Sequence, residues 1–180
     1  LKSNNRLSGL LIQFPYSFSL NNATAKYLTN LCEIFKQFNL FIEMRHLSWS
    51  APEVLTFFRE NDLCLCTIDQ PQIGKSIDFN PIITNNYAYF RFHGRNEEAW
   101  LNSIANFGKK QTYEQANERY KYLYSISEIT EFYLKIKEIE KSVKEIYVIM
   151  NNHPGGGAVV NAKDMINMLL QKEKDLDLFI

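Results

Sequence analysis

The stretch YAYFRFHG, Tyr87–Gly94, decides how the fold is read. Successive side chains of a strand point to opposite faces, so Ala88, Phe90 and Phe92 make one wholly apolar face. The other face starts with Tyr87 and Tyr89 and ends with Arg91 and His93, with Arg95 close behind. A strand covered by helices on both sides keeps two apolar faces. This one turns polar on one side, and only at its carboxyl end.

Four other segments repeat the pattern: Gly9–Phe14, Leu40–His46, Leu63–Asp69 and Glu145–Asn152. The apolar parities are Leu10/Ile12/Phe14, Leu40/Ile42/Met44, Cys64/Cys66/Ile68 and Ile146/Val148/Met150. The opposite parities end in Gln13, in Glu43 and Arg45, in Asp69, and in Asn151. Helical spacing separates the segments, over Leu20–Phe38, after Ser50, around Ile126–Glu140 and over Ala158–Gln171. Ser50-x-x-Glu53 reads as a capping box, with Pro52 in the first turn. Strands separated by helices imply parallel βαβ units. With the polar parity facing inward, they imply the inside of a (β/α)8, or TIM, barrel that is packed below and polar at the top. A barrel spends about 31 residues per unit. The chain therefore reads as a single domain over residues 1–180, supplying about the last five units, with earlier strands expected upstream. An open doubly wound sheet is the alternative; it explains the length but not the polar parity. Residues 96–125 read as a long loop after the fourth strand, rich in aromatic and charged residues.

Composition bounds the function. The chain has 180 residues, 46% hydrophobic and 22% charged, enough to bury a core. Lys+Arg and Asp+Glu both number 20, so no global field draws nucleic acid or an acidic membrane. No apolar run approaches the ~18 residues of a membrane span, and LKSNNRLSGL lacks the features of a signal peptide. The first residue is Leu rather than Met, which reads as a piece of something longer. Three cysteines do not suggest a secreted disulfide framework. Cys64 and Cys66, at i and i+2, read as core facing the helices rather than as a metal pair. A cytoplasmic protein is the expectation.

In order and spacing, IQFPYSF, IEMRHLSW, TIDQPQ, YFRFHGRN, RYKYLYS and IMNNHPGGGAVVNA resemble the YecE-like proteins, the family called domain of unknown function 72. The resemblance covers essentially the whole chain. It implies a TIM barrel and a missing N-terminal segment with polar motifs of its own. Gln70 and Met44 stand where relatives often carry an acidic and an aromatic residue. Membership implies no reaction.

The residues themselves suggest an anion site. Arg45, Arg91, His93 and Arg95 form a cationic side, and a guanidinium fork suits carboxylate or phosphate. NNHPGGGAVVNA leads from Asn151 and Asn152 through Gly155, Gly156 and Gly157 into the last helix. Free backbone N–H groups there favour an anion, although the glycines also read simply as a turn. Glu43 and Asp69 are the candidate acid and base, with His93 as a third catalytic candidate; their bland reading is buried ion pairing. Trp49, Tyr120, Tyr122 and Tyr124 are candidates for a stacking rim, or for packing under the loop. Gln13, Asn151 and Asn152 complete the polar mouth. His46, His93 and His153 all fall at strand ends, yet no H-x-x-x-H spacing supports a divalent metal. No Walker loop or dinucleotide fingerprint is present, so no nucleotide cofactor is implied. Ser17 has no recognisable triad. The expected function is an enzyme, a hydrolase by fold analogy alone, acting on a phosphorylated or acidic small molecule. A nucleic-acid-binding protein using the same cationic mouth is the alternative.

Overall fold

The structure, a computed structural model, describes residues 6–106 and 108–177. The chain divides into two compact units. The first holds the chain up to Ile68, Gln72–Phe90 and Ser142–Tyr147; the second holds Asp69–Pro71, Arg91–Lys141 and the chain from Val148 on.

In the first unit, strands β1 (Leu10–Gln13), β2 (Leu40–Glu43) and β3 (Cys64–Leu65) form a sheet in that order. Both pairings are parallel, with Leu10 opposite Leu40 and Gln13 opposite Glu43. Helix α1 (Asn22–Phe35) connects β1 to β2, and α2 (Pro52–Glu60) connects β2 to β3. Asn21 caps α1, accepting from the N–H groups of Ala23 and Thr24 while Thr24 returns a bond to the Asn21 N–H. The expected box at Ser50 does not form. Ser50 closes a 3-10 turn (Leu47–Ser50), and α2 starts on Pro52, whose fixed φ and missing N–H suit a first turn. Leu28 and Cys32 of α1 and Val54 and Phe58 of α2 bury against Leu40, Ile42 and Met44, so the apolar parity of β1 and β2 meets the helices.

The third strand departs from expectation twice. It breaks at Cys66 into β3 and β4 (Thr67–Asp69), and its faces are reversed. Phe41 is the register partner of Cys64, and Ile42 of Leu65. Leu63 and Leu65 therefore join the helix-facing core. Cys64, Cys66 and Ile68 lie on the other face, clustered with Phe41, Ile77, Tyr87, Tyr89 and Tyr147. Both parities of LCLCTID are apolar at their start, so only the register against β2 decides which way they face.

A second sheet runs β4–β5–β6, with β5 at Tyr87–Phe92 and β6 at Glu145–Met150. The Lys144 N–H donates to the Asn86 carbonyl at 2.7 Å and the Asn151 N–H to Phe92 at 2.8 Å. Partners at both ends advance together, so β5 and β6 are parallel. The fold is α/β with parallel sheets.

The second unit carries helices α3 (Glu97–Ala105), α4 (Tyr113–Asn117), α5 (Ile126–Ile139) and α6 (Gly157–Asp177). The stretch read as a long loop is thus largely helical. Asn96 caps α3 by accepting from the Ala99 N–H, Glu97 and Glu98 fill its first turn, and Thr112 and Gln115 form a capping box for α4. A third box, Ser125 with Glu128, starts α5. Phe92 packs on Phe132 of α5, ring centroids 4.3 Å apart, which puts the apolar parity of β5 against a helix.

Candidate functional site

Arg91 and His93 leave β5 on its polar parity, and Asn151 follows β6. The Asn151 amide joins them: Arg91 Nη2 donates to Asn151 Oδ1 at 3.1 Å, and Asn151 Nδ2 lies 3.0 Å from His93 Nδ1. A guanidinium can only donate, so the amide oxygen must face Arg91 and the NH2 group must face the imidazole. His93 Nδ1 then has to accept, which leaves the ring proton on Nε2. The ring is fully buried, lying 6.2 Å from Trp100 and 5.8 Å from Tyr120 between centroids. A proton on Nδ1 would set two donors against each other, so this geometry favours a neutral imidazole at position 93.

Asp69 engages different partners. Arg95 Nη2 and Nε donate to Asp69 Oδ1 at 2.7 and 2.9 Å, and Tyr124 Oη donates to Oδ2 at 2.6 Å. The Tyr124 hydroxyl in turn accepts from the Gly94 N–H at 2.7 Å. Arg95 also reaches Glu128, at 3.3 Å, and lies over the Phe132 ring. Burial pushes the Asp69 carboxyl above its ordinary range, while the bonds from Arg95 and Tyr124 pull it back. Three donor bonds around one carboxylate are the surroundings of an ionised group. Burial and then the Asp69 charge raise the Tyr124 phenol far above its usual value. Burial and the Glu128 carboxylate push the Tyr122 phenol, which donates to Glu128 Oε1 at 2.8 Å, up to about 12. Burial alone would raise Glu128, but bonds from Ser125 and Tyr122 outweigh it and hold the carboxyl below its usual value. Tyr124, Asp69, Arg95, Glu128 and Tyr122 form one connected hydrogen-bonded cluster.

The lead-in to α6 is built for close approach. Asn151 and Asn152 are followed by a 3-10 turn (Pro154–Gly156) in which Gly155 and Gly156 have φ of +68° and +81°. Side chains rarely adopt that region. Gly157 is needed for a different reason, since a Cβ there would sit 2.8 Å from the Tyr122 carbonyl oxygen and 3.0 Å from that of Asn152. Asn152 is fully buried and donates to the Tyr122 carbonyl and to Asn161 Oδ1. Asn161 in turn brackets Tyr124, accepting from its N–H and donating to its carbonyl.

The remaining candidates lie in the first unit. Glu43 and Arg45 are buried and paired, with Arg45 Nη2 and Nε at 2.8 and 2.9 Å from Glu43 Oε1. Gln13 ends β1 with its side chain exposed. Trp49 is buried, stacked on Phe18 and donating to the Phe18 carbonyl at 2.6 Å, so it packs rather than offering a face to a ligand. Tyr120 and Tyr124 are buried too. Burial pushes the Cys64 thiol up to about 12, away from thiolate chemistry.

Asn161 and Glu128 were missed as parts of this constellation. The Ser125-x-x-Glu128 spacing was available as a capping signal, whereas nothing local marks Asn161 as the bracket of Tyr124. A cavity of about 580 Å³ lies against α3 and α4, lined by Asn102, Ser103, Lys109 and Gln115 among others, and no candidate residue reaches it. Among the described residues, no group of three or more His, Cys, Asp and Glu side chains could hold a metal, and no helix is long and apolar enough to cross a membrane.

Residues 1–178 match the family described as "Protein of unknown function DUF72". The UPF0759 protein YunF of Bacillus subtilis (strain 168) is 28% identical over an alignment of 171 residues that covers 92% of this chain and 58% of YunF. A DUF72 family protein from Thermotoga maritima MSB8 superposes with a TM-score of 0.77 at 36% identity, over 88% of this chain and 56% of that one. Another, from Enterococcus faecalis V583, gives 0.81 at 31% identity, over 94% of this chain and 61% of that one. The chain thus spans somewhat over half the length of each of these relatives. With the family match running over residues 1–178 and two DUF72 structures superposing over most of the chain at 31–36% identity, the chain belongs to the DUF72 family.

Proposed function

We propose that the second unit binds an oxyanion, the phosphate or carboxylate of a small molecule, at the ends of β5 and β6, and that the protein is an enzyme acting on such a ligand. One observation carries the reading: the Arg91–Asn151–His93 chain stands directly before the glycine-rich turn into α6, within one compact unit. A guanidinium and the first N–H groups of a 21-residue helix are both suited to an anion. In this reading His93 contributes a neutral imidazole rather than a second positive charge. Asp69 and Glu43 hold Arg95 and Arg45 in place, and hydrolysis rests on fold analogy alone.

The parallel strands alternating with helices, and the greater length of the relatives, support placing the chain as the later part of a (β/α)8 barrel. Three buried cysteine thiols suit a reducing compartment such as the cytoplasm. The nucleic-acid reading is the weaker one, because burial of Tyr120 and Tyr124 withdraws two of the rings that would stack on bases.

Titration calorimetry with inorganic phosphate and with a simple phosphate monoester tests the proposal. Wild type should bind at millimolar concentration or below, and Arg91→Ala, checked for folding by its melting curve, should bind at least about tenfold more weakly. Equal binding by a folded Arg91→Ala protein, or no heat from wild type, overturns it.

A further inference from the structure

Asn151 bonds to two histidines, and in opposite senses. Its side-chain NH2 faces His93 Nδ1, which must accept. Its backbone carbonyl lies 3.0 Å from His153 Nδ1, and a carbonyl can only accept, so His153 carries its proton on Nδ1. The lone pair of His153 is therefore on Nε2, the far side of the ring from this bond. The two rings also differ in access, for His93 is fully buried and His153 is exposed. His153 is nonetheless held: its ring lies against Tyr120, centroids 5.6 Å apart, and its carbonyl accepts from the Gly156 N–H at 3.1 Å in the turn leading to α6.

The consequence lies in what happens when each ring gains a proton. Protonating His93 at Nδ1 sets N–H against N–H. Protonating His153 at Nε2 disturbs nothing, since Nδ1–H stays on the Asn151 carbonyl and the new N–H points away from it. We propose that His153 is the residue of this site that exchanges a proton with the bound ligand. Its Nε2 takes the proton of a singly protonated phosphate oxygen, becoming an imidazolium that then donates back to the phosphate dianion. His93, by contrast, stays a neutral positioning residue. The inference rests on the anion reading above and adds the proton-handling group to it.

Three measurements test it on the intact protein. Imidazole nitrogen NMR should show His153 protonated on Nδ1 and His93 unprotonated there; an Nε2–H tautomer at His153 overturns the proposal. Diethyl pyrocarbonate, mapped by mass spectrometry, should modify His153 and spare His93, and saturating inorganic phosphate should slow modification of His153 at least about fivefold. His153→Gln should weaken phosphate binding about tenfold, the loss of one charge-assisted hydrogen bond. If calorimetry shows phosphate bound while His153 reacts at an unchanged rate and His153→Gln binds like wild type, His153 lies outside the site and the anion reading survives without it. If phosphate does not bind at all, both fall.

Discussion

Replacing Tyr124 by phenylalanine isolates one hydroxyl that does two things. It donates to Asp69 Oδ2 at 2.6 Å and accepts from the Gly94 N–H at 2.7 Å, in a side chain that is 2% exposed. The phenyl ring would keep the edge contacts to Phe92 and Phe132, at 6.2 and 5.1 Å between centroids, so apolar packing is conserved. The loss is polar. A hydrogen bond to a charged group contributes about 1.5–3 kcal/mol, and a buried N–H left without a partner costs about 1–3 kcal/mol. Asp69 keeps its bonds from Arg95, one of them to Oδ2 itself at 3.1 Å, which holds the total toward the lower end, at about 3 kcal/mol. For a chain of this size that is a fall of roughly 6–12 °C in melting temperature. The assay is thermal and urea unfolding followed by tryptophan fluorescence. A double-mutant cycle with Asp69→Asn should add a coupling of about 1 kcal/mol or more, because the two groups touch. A drop below about 2 °C, or strict additivity in the cycle, would refute the claim that this hydroxyl ties Gly94 to Asp69.

Three further outcomes are expected. The folded-state pKa of Glu128 is depressed, so its contribution is fully present above the ordinary glutamate pKa and is lost as pH falls through the depressed one. The melting-temperature gap between wild type and Glu128→Gln should accordingly be widest near pH 6–7 and narrow toward pH 3; a gap that widens in acid contradicts the sign. Gly157→Ala should destabilise by about 1–3 kcal/mol despite alanine's better helix propensity, because backbone oxygens stand 2.8 and 3.0 Å from the new methyl. Gly155→Ala meets open space and should cost about 1 kcal/mol, from its left-handed φ alone; urea midpoints that reverse this order would count against the close approach at Gly157. Asn151→Asp replaces the amide with a carboxylate that accepts from both neighbours, so nitrogen NMR should find the His93 proton moved to Nδ1 at neutral pH, and an Nδ1 still without a proton would contradict the contact between the two side chains.

How far the site could be read in advance differs from residue to residue. Arg91, His93 and Asn151 were placed on one parity by alternation alone, and they meet there through hydrogen bonds. Asp69 was assigned to their company by the same rule. It instead faces Tyr124 and Arg95, because the pairing of Cys64 with Phe41 reverses the faces of the segment that leads to it. The helices within residues 96–125 were missed because their apolar periodicity is weak; what announces them is their caps, Asn96 and Thr112-x-x-Gln115.

Alternation along a strand is covalent geometry, so the sequence by itself determined which side chains share a face and that the polar residues of each strand fall at its carboxyl end. Which of two apolar faces meets the helices is a property of the pairing, and only the partnership of Phe41 with Cys64 turned Cys64, Cys66 and Ile68 away from them. The same holds for protons. A histidine's sequence neighbours do not say which nitrogen is protonated; that was decided when a residue 58 positions from His93 brought an amide to its Nδ1. The physical reason is common to both cases: local rules set the choices open to a side chain, and the non-local partner, by what it can donate or accept and which face it covers, selects among them.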